Sequence, residues 1–133
     1  MKTYLIDDDH ISIFITAQTL RLENFSEDIQ TFHSAEDALD KLVGATGIKE
    51  SPQVIFLDLN MPGMNGWEFL DTIKPYENQL LNTCRIYILT SSLDFTDTKR
   101  IKDYPLVADL LHKPIGPEDI QVIMAEHAEG YRK

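Results

Sequence analysis

The chain has 133 residues, 43% of them hydrophobic and 26% charged, and a formal net charge of −10. That size suits one domain with its own core, and the acidic balance excludes the basic footprint a direct nucleic-acid binder needs. No apolar run approaches the roughly 18 residues of a membrane span, and the first one is too short for a secretory signal, so a cytoplasmic protein with no membrane or nucleic-acid partner is expected.

Residues 3–6 form a short apolar run that reads as a buried strand and stops at Asp7-Asp8-Asp9. From His10 to about Glu23, Ile11, Phe14, Ile15, Ala17 and Leu20 recur at near-helical spacing, which predicts a helix. Residues 28–32 suggest a second strand. Ser34 opens Ser-Ala-Glu-Asp, which is similar to a capping box. Ala35, Ala38, Leu39 and Leu42 then recur at i, i+3, i+4 and i+7, predicting a helix that Gly44 and Gly47 end.

Residues 53–57 (Gln-Val-Ile-Phe-Leu) read as a strand, apolar without a break from Val54 and ending at Asp58, as suits a parallel strand covered on both faces. Asn65-Gly66-Trp67-Glu68 reads as a helix start, with Trp67, Leu70 and Ile73 as the apolar side and Pro75 as the stop. Residues 76–84, roughly, read as irregular. Residues 85–89 predict a fourth strand, ending at Thr90-Ser91-Ser92. A shorter helix is expected from about Thr96 to Lys102, closed by Tyr104-Pro105, and then a fifth strand over 107–111. Pro117-Glu118-Asp119 opens a last helix, since proline suits a first turn and acids there complement the helix dipole. Ile120, Ile123, Met124 and His127 fall along one face of it, and it is expected to run to about Glu129.

Strands alternating with helices predict an α/β fold with a parallel sheet covered on both faces. Right-handed crossovers leave few topologies, and a flavodoxin-like five-stranded sheet in the order 2-1-3-4-5 is the expected one. The whole chain, 1–133, reads as one domain. The lone Cys84 forms neither an internal disulfide nor a thiolate metal cage and reads as a buried structural residue.

In open α/β sheets, sites form beyond the carboxyl ends of the strands. The predicted strands end with Asp7, Asp8 and Asp9; with Asp58; with Thr90, Ser91 and Ser92; and with Lys113 followed by Pro114. Two carboxylates about 5 Å apart repel by roughly 3 kcal/mol at an effective dielectric near 20. Such a cluster calls for a cation, and oxygen ligands suit a hard ion such as Mg²⁺. An aspartate can act as nucleophile toward phosphorus, a lysine supplies positive charge for a phosphoryl group, and a threonine hydroxyl supplies a hydrogen bond. Phosphoryl transfer needs mainly positioning and charge neutralisation. Each piece alone has a plainer reading: an acid pair as a helix cap, Asp58 as the cap of the following turn, Thr-Ser-Ser as an ordinary loop. The conjunction, in this order at strand ends, carries the argument.

Leu5-Ile6-Asp7-Asp8, Asp58-Leu59-Asn60-Met61-Pro62-Gly63-Met64-Asn65-Gly66, Leu89-Thr90-Ser91-Ser92 and Lys113-Pro114 together resemble the receiver domain of two-component response regulators, over essentially the whole chain. The resemblance implies Asp58 as phosphoacceptor, with Lys113 pairing with the phosphoryl group and Thr90 swinging toward it. It implies Mg²⁺ held by Asp7 (through water), Asp8, Asp58 and the backbone carbonyl of Asn60. It assigns Asn60 and Ser92 to the tuning of dephosphorylation, places Ser91 in the same switch segment, and makes the bond before Pro114 often cis. Since three acids run together, Asp8 and Asp9 are an alternative pair; Asp7 and Asp8 are preferred because they directly follow the strand. One departure stands out. Leu110 occupies a position where the family often has an aromatic ring, so a threonine–aromatic switch lacks its ring here.

The resemblance further implies a phosphoacceptor protein rather than a turnover enzyme. Its phosphoryl source would be a sensor histidine kinase or a histidine phosphotransfer protein, and its output the binding of a downstream target protein. A stand-alone receiver or a relay is expected. Two other readings are an Mg²⁺-dependent aspartyl-phosphate phosphatase, since Asp7-Asp8-Asp9 contains Asp-x-Asp, and a degenerate receiver that only binds partners.

Overall fold

A computed structural model describes residues 1–44, 50–92 and 95–128. Five parallel strands, β1 (Lys2–Ile6), β2 (Asp28–Phe32), β3 (Val54–Asp58), β4 (Arg85–Thr90) and β5 (Val107–His112), lie in the order β2-β1-β3-β4-β5. This is the expected flavodoxin-like topology. β3 is buried along its full length, as its unbroken apolar run requires, and pairs with β1 on one side and β4 on the other.

The helices are α1 (His10–Leu22), α2 (Ala35–Leu42), α3 (Gly66–Ile73), α4 (Glu77–Leu80), α5 (Phe95–Arg100) and α6 (Pro117–Ala128). Two clusters of buried side chains cover the two faces of the sheet. One gathers α2, α3 and Leu80 against Tyr4, Ile6, Ile55, Leu57, Ile86 and Ile88. The other sets Ile13, Ala17 and Leu20 of α1 and Ile120 and Ile123 of α6 against Leu5, Val54, Phe56, Tyr87 and Leu89. Alternation along each strand sends successive side chains to opposite clusters.

Local chemistry fixes the helix starts. The Asp9 carboxylate accepts from the backbone N–H groups of Ile11 and Ser12 at the head of α1. Ser34 caps α2 through the Asp37 N–H. Asn65 and Glu68 form a reciprocal capping box at α3.

One expectation needs correction, and α1 carries more than its spacing alone separates. α1 carries two apolar stripes on opposite faces. Ile13, Thr16, Ala17 and Leu20 are buried, whereas Ile11 (71% exposed), Phe14 (66%), Ile15 (46%) and Leu22 (73%) face outward. The residues that marked the helix in the sequence, Ile11, Phe14, Ile15, Ala17 and Leu20, come from both stripes. The stretch over 76–84 is not wholly irregular. Pro75 breaks α3 into a 3₁₀ turn (Lys74–Tyr76), and α4 follows, because proline ends one helix yet is tolerated in the first turn of the next; Leu80 is fully buried there. α2 ends at Leu42 with Val43 as its C-cap, directly ahead of Gly44 as expected, while Gly47 lies outside the described residues. The expected end of the last helix near Glu129 also falls outside them.

Candidate functional site

The carboxyl edge of β1, β3, β4 and β5 gathers the acids, the lysine and the threonine at one place. β1 delivers Asp7, which is 2% exposed, and Asp8, which is half-buried; β3 delivers Asp58, 6% exposed. One carboxylate oxygen from each of Asp7, Asp8 and Asp58 lies within 4.8 Å of the other two. Among the described residues this is the one group of three or more histidine, cysteine or acidic side chains close enough to share a metal ion. Three converging carboxylates and no soft ligand fit a hard divalent cation such as Mg²⁺. Asp9 stands apart from that group, since its carboxylate is spent on capping α1.

Lys113, just beyond β5, reaches into the cluster. Its Nζ donates to Asp7 Oδ2 at 2.8 Å and lies 3.3 Å from Asp58 Oδ1. Its backbone N–H donates to the Thr90 carbonyl at 2.8 Å, which ties the lysine to the end of β4. The Lys113–Pro114 peptide is cis. Asp7 is satisfied on both oxygens: Oδ1 accepts from the Asp9 N–H at 3.0 Å, and Oδ2 accepts from Ser12 Oγ at 2.7 Å as well as from Lys113.

This packing controls ionisation. Burial, reinforced by the charge of Asp7, pushes the Asp58 carboxyl up to about 6, with Lys113 pulling the other way. For Lys113, burial opposes its charge, but the hydrogen bond to Asp7 and the charges of Asp7 and Asp58 outweigh it and hold its pKa above the ordinary lysine value. Asp58 is therefore a carboxylate at neutral pH, beside a cation that stays charged.

The segment after Asp58 is shaped to approach the acceptor. The Gly66 N–H bonds the Leu59 carbonyl at 3.0 Å. A Cβ on Gly66 would sit 2.8 Å from the Asp58 carbonyl oxygen and 2.9 Å from Leu59 Cα, so only glycine lets α3 start so close to the acceptor. Asn60 is exposed in the intervening loop, and Met61 is buried. Glu36 on α2 accepts from the Met64 N–H at 3.3 Å and steadies that loop from outside.

Thr90 is buried. Its Oγ1 donates to the Ser92 carbonyl at 3.0 Å and accepts from the Ser92 N–H at 3.2 Å. Ser91 and Ser92 are exposed beside it. Leu110 is half-buried against the core cluster that holds Trp67 and Tyr104. Those two rings pack 5.5 Å apart, the Arg100 guanidinium lies 4.4 Å above Trp67, and the Tyr104 hydroxyl donates to Asp71 at 2.7 Å. Aromatic packing near the fourth and fifth strands thus comes from α3 and the end of the α5 segment.

Ser12 and Glu36 were not singled out from the sequence. Serine and glutamate are common on helix surfaces, and only Ser12's place three residues after the cap Asp9, on the turn facing back to β1, hints at its contact.

A family model for the response regulator receiver domain matches residues 4–125. The chain belongs to the response-regulator receiver family. Its fold is similar to that of a two-component response regulator from Cytophaga hutchinsonii, with 31% identity, 93% of each chain covered and a TM-score of 0.86. It is also similar to a response regulator receiver protein from Dyadobacter fermentans, with 27% identity, 94% of this chain and 96% of that one covered and a TM-score of 0.81. Among curated proteins, the hybrid signal transduction histidine kinase L of Dictyostelium discoideum is 26% identical over 96% of this chain. An osmosensing histidine protein kinase of Saccharomyces cerevisiae is 26% identical over 99% of it. The chain spans 7% and 10%, respectively, of those two proteins. It is thus a receiver of two-component signalling, related both to response regulators and to the receivers of hybrid kinases. No helix among the described residues is long and apolar enough to cross a membrane.

Proposed function

We propose that this receiver accepts a phosphoryl group on Asp58 with Mg²⁺ and thereby changes its binding to a partner protein, as a stand-alone switch or a relay acting in the cytoplasm, with residues 1–133 forming one receiver domain. The observation that carries the reading is the convergence of Asp7, Asp8 and Asp58 on a common point, with Lys113 between Asp7 and Asp58.

An Asp58 carboxylate oxygen attacks the phosphorus of a phosphohistidine on a sensor kinase or phosphotransfer protein. The new O–P bond forms as the N–P bond breaks, and the electron pair leaves with the imidazole. Asp7, Asp8, Asp58 and the Asn60 carbonyl would hold Mg²⁺, which supplies neutralisation of the carboxylates and of the transferring phosphoryl group. Lys113 leaves Asp58 Oδ1 for a phosphoryl oxygen without travelling far, since it already lies 3.3 Å from that carboxylate. The Thr90 hydroxyl exchanges its local bonds to Ser92 for another phosphoryl oxygen, which alters the 90–92 segment. Because Leu110 lacks a ring, the change passes outward through repacking of that segment and not through rotation of an aromatic side chain at that position. Asn60, two residues after the acceptor, and Ser92, bonded to Thr90, hold the positions that the resemblance assigns to governing water attack on the acyl phosphate, and Pro114 follows Lys113 in the turn that presents it.

The outward stripe of Ile11, Phe14, Ile15 and Leu22 begins next to this edge and supports docking of the phosphoryl-donor protein along α1. The phosphatase alternative needs Asp7 and Asp9 together as its Asp-x-Asp pair, and Asp9 is engaged in capping α1, apart from the carboxylate group. The test is intact mass after acetyl phosphate with Mg²⁺. One added phosphoryl group, absent without Mg²⁺, is expected; an unchanged mass would support the degenerate receiver instead.

A further inference from the structure

Ser12 makes a contact that the resemblance assigns to no role. It occupies the first turn of α1, three residues after the cap Asp9, and its hydroxyl turns back to the sheet edge. Ser12 Oγ donates its single proton to Asp7 Oδ2 at 2.7 Å. Its lone pairs are then free to accept, and Lys113 Nζ donates to them at 3.2 Å. An ammonium has three protons, and Lys113 faces three oxygens: Asp7 Oδ2 at 2.8 Å, Ser12 Oγ at 3.2 Å and Asp58 Oδ1 at 3.3 Å.

We infer that Ser12 is a positioning residue for phosphoryl transfer: its hydroxyl is the third acceptor of Lys113 and holds the ammonium facing Asp58. The inference rests on the phosphoacceptor reading of Asp58. The hydroxyl touches both Asp7 and Lys113, and the inference assigns its effect on transfer to the lysine. Asp7 keeps its own anchor without Ser12, because the Asp9 N–H holds Oδ1 at 3.0 Å. Without the hydroxyl, Lys113 retains Asp7 and Asp58 as partners but loses one of the three contacts that together orient its ammonium. A long, flexible side chain then samples positions turned from the acceptor. Loss of one hydrogen bond worth about 1 kcal/mol corresponds to roughly a fivefold change in rate.

The test compares Ser12→Ala, Ser12→Thr, Lys113→Ala and the Ser12→Ala/Lys113→Ala double variant. Alanine is a strong helix former, so Ser12→Ala is compatible with α1; thermal unfolding checks this. Phosphorylation of Ser12→Ala by acetyl phosphate should slow about fivefold, with threonine restoring most of the rate. In the Lys113→Ala background the same change should have no effect, which is the coupling a positioning role requires. Mg²⁺ affinity by calorimetry should stay within about twofold, since Asp7 remains anchored. Independently of any phosphorylation, nitrogen-detected NMR should show the Lys113 ammonium protons exchanging with water several-fold faster in Ser12→Ala.

Unchanged ammonium exchange would overturn the inference, as would an equal slowing in the Lys113→Ala background or a loss of Mg²⁺ affinity parallel to the loss of rate. A wild-type protein that takes no phosphoryl group would instead sink the proposed function, and the exchange measurement would still decide whether Ser12 holds Lys113.

Discussion

Lys113 and Asp7 lie 106 positions apart in the chain and 2.8 Å apart at the sheet edge. Two strands, β3 and β4, separate their parent strands β5 and β1 in the sheet. The lysine crosses that gap to sit between Asp7 and Asp58, and it is the cation that lets buried acids face each other. Removing one partner of a buried pair costs about 3–5 kcal/mol because the other charge is left uncompensated. Lys113→Ala should therefore lower the urea midpoint strongly in Mg²⁺-free buffer, and added Mg²⁺ should recover much of the loss. A midpoint equal to wild type without Mg²⁺ would contradict this charge balance.

Asp58 imposes a cost of the opposite kind. Its folded-state pKa of about 6 stands above the ordinary value of 3.8. Between those values the folded protein holds a proton that the unfolded chain releases, so stability falls as pH rises through that window. The shift of about two units corresponds to ~3 kcal/mol of destabilisation once pH exceeds 6. Without Mg²⁺, Asp58→Asn should be more stable than wild type at pH 7 by about 1–3 kcal/mol, and the two should converge below about pH 4. Unfolding curves at the two pH values check the sign.

Asp8 and Asp9 are neighbours with opposite expected behaviour. Asp8 belongs to the carboxylate cluster, while Asp9 caps α1 through the Ile11 and Ser12 N–H groups. Asp9→Ala should cost about 1 kcal/mol of stability and leave Mg²⁺ binding nearly intact. Asp8→Ala should weaken Mg²⁺ binding at least tenfold by calorimetry without losing the cap. Equal effects on Mg²⁺ would mean that the ion takes a different acid pair.

Much of this was legible in the sequence because the signals were strong and local. The apolar run 54–57 needed burial on both faces and became the body of β3, and the punctuation by Asn65, Gly66 and Pro117 fixed helix starts. The strand-end rule alone places Asp7, Asp58, Thr90 and Lys113 at one edge. What escaped depended on partners distant in sequence. Periodicity could not tell which of the two apolar stripes of α1 would meet the sheet. Pro75 hid the helical turn behind it. Ser12 has no distinctive neighbours in the chain, and its importance arises only when Lys113 arrives from β5.

The outer stripe of α1 separates donor docking from chemistry. Phe14 is 66% exposed and contributes nothing to the buried face, so Phe14→Glu should fold normally. It should slow transfer from a phosphohistidine protein donor by roughly tenfold or more, on the scale of an apolar interface anchor. The rate with acetyl phosphate, which needs no docking surface, should be unchanged. Stopped-flow transfer measurements with both donors provide the comparison.

The most direct test of the account is chemical mapping of the acceptor. The protein, treated with acetyl phosphate and Mg²⁺, would be reduced with borohydride, which converts an acyl phosphate to an alcohol, and then digested and sequenced by mass spectrometry. The account predicts reduction at Asp58 alone, dependent on Mg²⁺. Reduction at Asp7, Asp8 or Asp9, or at no residue, would contradict it.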